Sequence, residues 1–109
     1  MIVVVFRSRV RPEHAAEYYA LVEEMEALAR SMPGYISNKA YFSEDGERLS
    51  IHEWESAQHL EAWRTHPDHL KAQGRGRREF YDAYVLQVCE QTRESRFVRE
   101  TTEPSQLSR

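Results

Sequence analysis

Ile2-Val3-Val4-Val5-Phe6 is an unbroken apolar run, after which Phe6, Ser8 and Val10 alternate with Arg7 and Arg9. The β-branched density and the change to a two-residue period predict a mostly buried strand over residues 2–10. From Pro12 to Met32 the period lengthens. Ala15, Tyr18, Val22, Met25, Ala29 and Met32 fall three or four residues apart and trace one face of a helix, which Leu21 and Leu28 widen. Proline suits the first helical position and Glu13 the positive end of the helix dipole. Met32-Pro33-Gly34 ends the helix: the proline disfavours helical geometry before it and the glycine permits a reversal.

Tyr35–Phe42 predicts a second strand and Arg48–Trp54 a third, joined by a hairpin at Asp45-Gly46. Ser56 is placed to cap a helix with Ala57, Leu60 and Trp63 on one face. Pro67 breaks that helix and opens another over 68–81, weakened by Gly74 and Gly76. Residues 84–92 predict a fourth strand. The order β-α-β-β-α-(α)-β is α+β and ferredoxin-like: one four-stranded antiparallel sheet with helices on one face. Residues 1–93 are expected to form this domain, and 94–109 a polar tail carrying Pro104. The tail is expected to be disordered, or to embrace a partner through Phe97 and Val98. Val3 and Val5 oppose Val4 and Phe6, and Tyr84, Leu86 and Val88 oppose Val85 and Cys89, so the outer strands are apolar on both sides. An apolar sheet face left in water invites association, and a homodimer is the expected remedy.

Charge and composition narrow the function. The 109 residues are 40% hydrophobic and 30% charged, with a formal net charge of -3. That is the balance of a globular domain without the positive field expected of a nucleic-acid binder. The longest apolar run cannot span a bilayer, and no basic-then-apolar leader opens the chain, so a cytoplasmic protein with no membrane partner is expected. Cys89 is the single cysteine, which rules out an intramolecular disulfide; its place in an apolar strand predicts a small core residue.

Several local patterns occur together: Arg11-Pro12-Glu13 opening a helix, Met32-Pro33-Gly34-Tyr35 closing it, Trp54-Glu55-Ser56, and Leu60-x-x-Trp63-x-x-His66-Pro67-x-His69. In this order and spacing, over about residues 1–93, they resemble the antibiotic biosynthesis monooxygenase (ABM) family of the dimeric α/β barrel superfamily. The resemblance implies that two copies close their sheets on each other. It also implies one of two chemistries. One branch of the family oxidises aromatic polyketides with dioxygen, using neither metal nor flavin. The other degrades heme through a histidine on the helix after the tryptophan and an asparagine on the first strand. Aligned on Trp63, this chain has Gln73 and Phe6 near those positions, and glutamine is a poor iron ligand. His69, one turn earlier, is the alternative ligand.

A cofactor-free oxygenase needs a base, a dry apolar pocket and donors for the substrate oxygens. His69 and Gln73 share a helix face at i and i+4, offering a base beside an amide donor. His52 alternates with Ser50 and Trp54 on one side of its strand and points either into the pocket or into a dimer interface. Trp63 is expected as core packing or as the pocket wall, and Phe6 as a further wall. Tyr41 and Tyr81 offer phenolic donors, though strand aromatics commonly serve the core. Arg77, in a basic cluster with Lys71, Arg75 and Arg78, is either solvated or an anchor for a substrate oxygen. His66-Pro67-Asp68-His69 brings two imidazoles and a carboxylate close in sequence, but no H-E-x-x-H pattern supports a metal. The expectation is a monooxygenase with no cofactor and no metal, acting on a small aromatic with dioxygen. The alternatives are a non-catalytic ligand-binding or stress-associated dimer and a heme degrader.

Overall fold

A computed structural model describes residues 1–100. Strand β1 (Ile2–Val10) leads through a 3-10 turn (Pro12–His14) into helix α1 (Ala15–Ser31), followed by the hairpin β2 (Tyr35–Phe42) and β3 (Arg48–Trp54). Helices α2 (Ala57–Arg64) and α3 (Pro67–Arg75), a π-helical turn (Gly76–Phe80) and β4 (Tyr81–Glu90) complete it. The sheet is antiparallel in the order β2-β3-β1-β4. This is the α+β ferredoxin-like architecture expected from the patterning.

Three boundaries differ from the expectation. The last helix stops at Arg75 and unwinds into the π-helical turn, and β4 begins at Tyr81 rather than residue 84. Gly74 and Gly76 weaken the helix, and pairing with β1 (Val10 to Tyr81, Arg9 to Ala83) draws the next residues into the sheet. That pairing is non-local and has no signal in the periodicity. At its other end β4 finishes at Glu90, where Gln91 N–H reaches the Met1 carbonyl at 3.0 Å and β1 offers no further partner. Residues 91–100 form no regular element, and Phe97 and Val98 are exposed. Pro104 lies outside the described residues.

Ser56 caps α2 by accepting from His59 N–H at 3.2 Å, and the His66 ring caps α3 by accepting from Asp68 N–H at 3.1 Å. Gly34 adopts φ +84°, and a Cβ there would sit 2.1 Å from Cγ of His59. Only glycine lets the chain turn from α1 into β2 this close to α2.

Register sorts the sheet into two faces. Val4, His52 and Val88 stand in one cross-strand row, with Phe6, Ser50 and Leu86 in the next. These look toward the helices, where Val4, Ala29, Trp54, Leu60 and Trp63 form the buried core. Val3, Val5, Leu49, Ile51, Val85 and Cys89 occupy the other face, which no helix of the described residues covers. Cys89 is therefore exposed rather than a core residue. Strand patterning could not tell which of two apolar faces the helices would take. No helix among the described residues is long and apolar enough to cross a membrane.

Candidate active-site cavity

Between the helix-facing side of the sheet and helices α1 to α3 lies a cavity of about 400 Å³, within the range of about 300–1,000 Å³ common for small-molecule sites. Val4, Phe6, Val22 and Met25 make its middle apolar. Tyr84, Leu86 and Val88 of β4 also line it, and each remains 42–55% exposed, so the cavity opens along that edge strand.

One end holds a linked set of rings. Trp54 is fully buried and stacks on Trp63 at 6.1 Å, with 20° between the planes. Trp63 in turn lies against His69, at 4.2 Å and 17°. Trp63 thus belongs to both the core and the cavity wall. His52 joins the set through Nδ1, which accepts from Trp54 Nε1 at 3.1 Å. An indole N–H can only donate, so this Nδ1 presents its lone pair and the neutral ring carries its proton on Nε2. Burial pushes the His52 pKa down to about 4, and the neighbouring His69 adds to the shift by charge repulsion. Burial also lowers His69, against the opposing pull of the Trp63 and Arg64 backbone. His69 Nδ1 is buried and meets no hydrogen-bond partner. Both imidazoles are therefore neutral at pH 7.

The opposite end is polar. Arg48 and Ser50, from the start of β3, are buried on the helix-facing side. Arg48 Nη1 makes a long hydrogen bond, 3.5 Å, to the Tyr18 hydroxyl of α1, which also accepts from the Tyr81 hydroxyl at 3.3 Å. Burial raises the Tyr81 pKa, with Tyr18 contributing, so the phenol stays a proton donor.

The cavity brings together His52, His69, Gln73, Trp63, Phe6, Tyr81 and Arg77. Arg77 is at the exposed margin, on the π-helical turn. Tyr41 is the exception. It pairs with Leu49, so strand alternation turns it to the face away from the helices, where it is 45% exposed. Its strand contributes Asn38 to the cavity instead. Arg48 and Tyr18 were not among the sequence candidates. The alternation Ser50-His52-Trp54 extends backward by one step to Arg48, and that step was the available signal. Among the described residues, no group of three or more His, Cys, Asp or Glu is arranged to hold a metal ion.

The family profile described as antibiotic biosynthesis monooxygenase matches residues 1–75. The chain belongs to this family. An uncharacterized Bacillus subtilis protein, YqjZ, is 29% identical over 100 residues, covering 92% of this chain and 87% of that protein. A jasmonate monooxygenase, ABM, of Pyricularia oryzae is 30% identical over 94 residues; these cover 84% of this chain but 44% of the fungal one. Among solved structures, Rv0793 from Mycobacterium tuberculosis superposes with a TM-score of 0.77 at 23% identity, covering 87% of this chain and 98% of its own. SnoaB from Streptomyces nogalater, a cofactor-independent oxygenase, superposes at 0.66 and 18% identity, covering 84% and 94%. These two likenesses establish the fold that this ABM chain shares with them.

Proposed function

We propose that the protein is a monooxygenase that uses dioxygen and no bound cofactor, and that its substrate is a small aromatic of the phenol, quinone or polyketide type. The observation that carries this reading is the cavity: apolar in its middle, with two neutral imidazoles fixed against a pair of tryptophans at one end. Family membership supports the oxygenase class, and a cofactor-independent oxygenase shares the fold.

The imidazoles have different roles. His52 spends Nδ1 on Trp54 and keeps an Nε2–H donor for a substrate oxygen. His69 serves as the base. Proton removal gives a substrate anion able to pass an electron to dioxygen, and apolar walls keep water from quenching it. For a ring CH2 group, one oxygen atom ends in the new carbonyl while the other leaves as water with both hydrogens. Gln73, one turn from His69 on α3, supplies a further donor.

Two copies joined through the uncovered face of the sheet complete the proposal. Val3, Val5 and Ile51 lie together there with Leu49 and Val85 on either side of Arg7 in the next row, and residues 91–100, with Phe97 and Val98 exposed, can reach across as an arm. Heme degradation is less well supported: the positions that branch uses hold Gln73 and Phe6.

An oxygen electrode with a panel of anthrones and hydroquinones tests the reading. Enzyme-dependent uptake that His69→Ala lowers by about 10²–10⁴-fold is expected from loss of a general base. Ligands that raise the melting temperature but come back unaltered, with no oxygen consumed, would make the protein a binding protein instead.

A further inference from the structure

Among the described residues, Arg48 is a buried cation without a counterion. It is 7% exposed and lines the cavity. A guanidinium keeps its charge at any pH a cell meets, and burying an uncompensated charge is costly. Buried arginines are normally paired with a carboxylate. None of the ion pairs among the described residues includes Arg48. Its partners are the long contact to Tyr18 and the rings of Tyr18 and Tyr19, 5.9 and 6.0 Å from the guanidinium carbon. Nε is buried with no hydrogen-bond partner, and so is Oγ of Ser8, which faces Arg48 directly across β1 and β3. A purely structural arginine would have these bonds satisfied.

We propose that Arg48 is the anchor for a carboxylate on the cavity's ligand. The geometry on β3 sets the ligand's form. Arg48 and His52 lie on the same side of the strand, four residues apart, which is about 13 Å at the usual rise per residue. The space between them is walled by Val4, Phe6 and Met25. An aromatic acid fits this layout, with its carboxylate on Arg48, its rings against the apolar middle and its far end at His52 and His69. The planar guanidinium suits a carboxylate better than a hydroxyl, and the Tyr18 hydroxyl, which accepts from both Arg48 and Tyr81, has its own proton left to donate. This substrate class rests on the cavity being the ligand site. It is tested by binding alone, so a failure to consume oxygen leaves it standing and a failure to bind carboxylates leaves the oxygenase reading standing.

Calorimetric titration with 2-naphthoate and with its neutral counterpart 2-naphthalenemethanol decides it. The wild-type chain is expected to bind the carboxylate at least about tenfold more tightly, the scale of a charge-assisted hydrogen bond. Arg48→Met should bring the two ligands level, Arg48→Lys should keep part of the preference, and Arg77→Gln should keep all of it. Arg48→Met should also melt no lower than wild type, since it removes an unpaired buried charge. Equal affinity or no binding in wild type, a preference that survives Arg48→Met, or one lost in Arg77→Gln instead would overturn the proposal. An Arg48→Met protein that fails to fold would overturn it too, by making the guanidinium structural.

Discussion

His52 and His69 differ less in residue type than in what surrounds each nitrogen. Trp54 occupies His52 Nδ1, while His69 Nδ1 is buried and unpartnered. The lowered pKa of His52 has a consequence for stability. In the folded state the ring protonates only near pH 4, whereas in the unfolded chain it does so near about 6.5. Between those values the unfolded state binds more protons, so stability is complete above about pH 6.5 and falls as pH drops toward 4. The full effect is on the order of 3 kcal/mol. Urea unfolding at stepped pH is expected to show His52→Gln losing stability less steeply than wild type across this window; parallel curves would refute the assignment. For activity, the base must be neutral. The acid limb of kcat/KM should therefore lie below the usual histidine value, in the direction burial moves His69. A limb at or above about 6.5 would exclude His69 in its present surroundings.

Among the elements, the connections carry the most constraint. Gly34 joins α1 to β2 in a left-handed conformation and against the His59 ring. Gly34→Ala is expected to cost about 1–3 kcal/mol or more from overpacking and backbone strain, and to lower the melting temperature accordingly. Gly76 is buried at the start of the π-helical turn, and a Cβ there would lie 2.6 Å from the Tyr81 ring. π-helical turns within helices often mark functional sites. Here the turn carries Arg77 to the cavity margin and delivers Phe80 into full burial. Gly76→Ala is expected to displace Tyr81 and weaken ligand binding more than it weakens the fold; titration beside thermal melting separates the two effects.

For the whole molecule the decisive feature is the face of the sheet that no helix of the described residues covers. Val3, Val5 and Ile51 lie together on it, and Leu49 and Val85 flank Arg7 in the next row; exposed apolar side chains grouped in this way are the usual material of an interface. Sedimentation is expected to give twice the 12.9 kDa chain mass, and Ile51→Glu to give single subunits by burying a charge at the contact. A wild-type chain sedimenting at its own mass would remove the homodimer from the proposal while leaving the cavity intact.

Local sequence set the element order through its hydrophobic periods, the hairpin through Asp45-Gly46 and the helix cap through Ser56, because each is a local preference of a few neighbouring residues. The same periods also put Trp63, His69 and Gln73 on helices and His52 on a strand. What tertiary structure alone decided was direction and company. A strand apolar on both sides carries no mark of which side the helices will cover, so Cys89 and Tyr41 turned out to face away from the core. Nor does a local pattern show which partners a long polar side chain will find after folding. The stacking of Trp54 on Trp63, the bond from Arg48 to Tyr18 and, among the described residues, the absence of an ion pair to Arg48 are set by contacts between separate elements, and these exist only once the layers have packed.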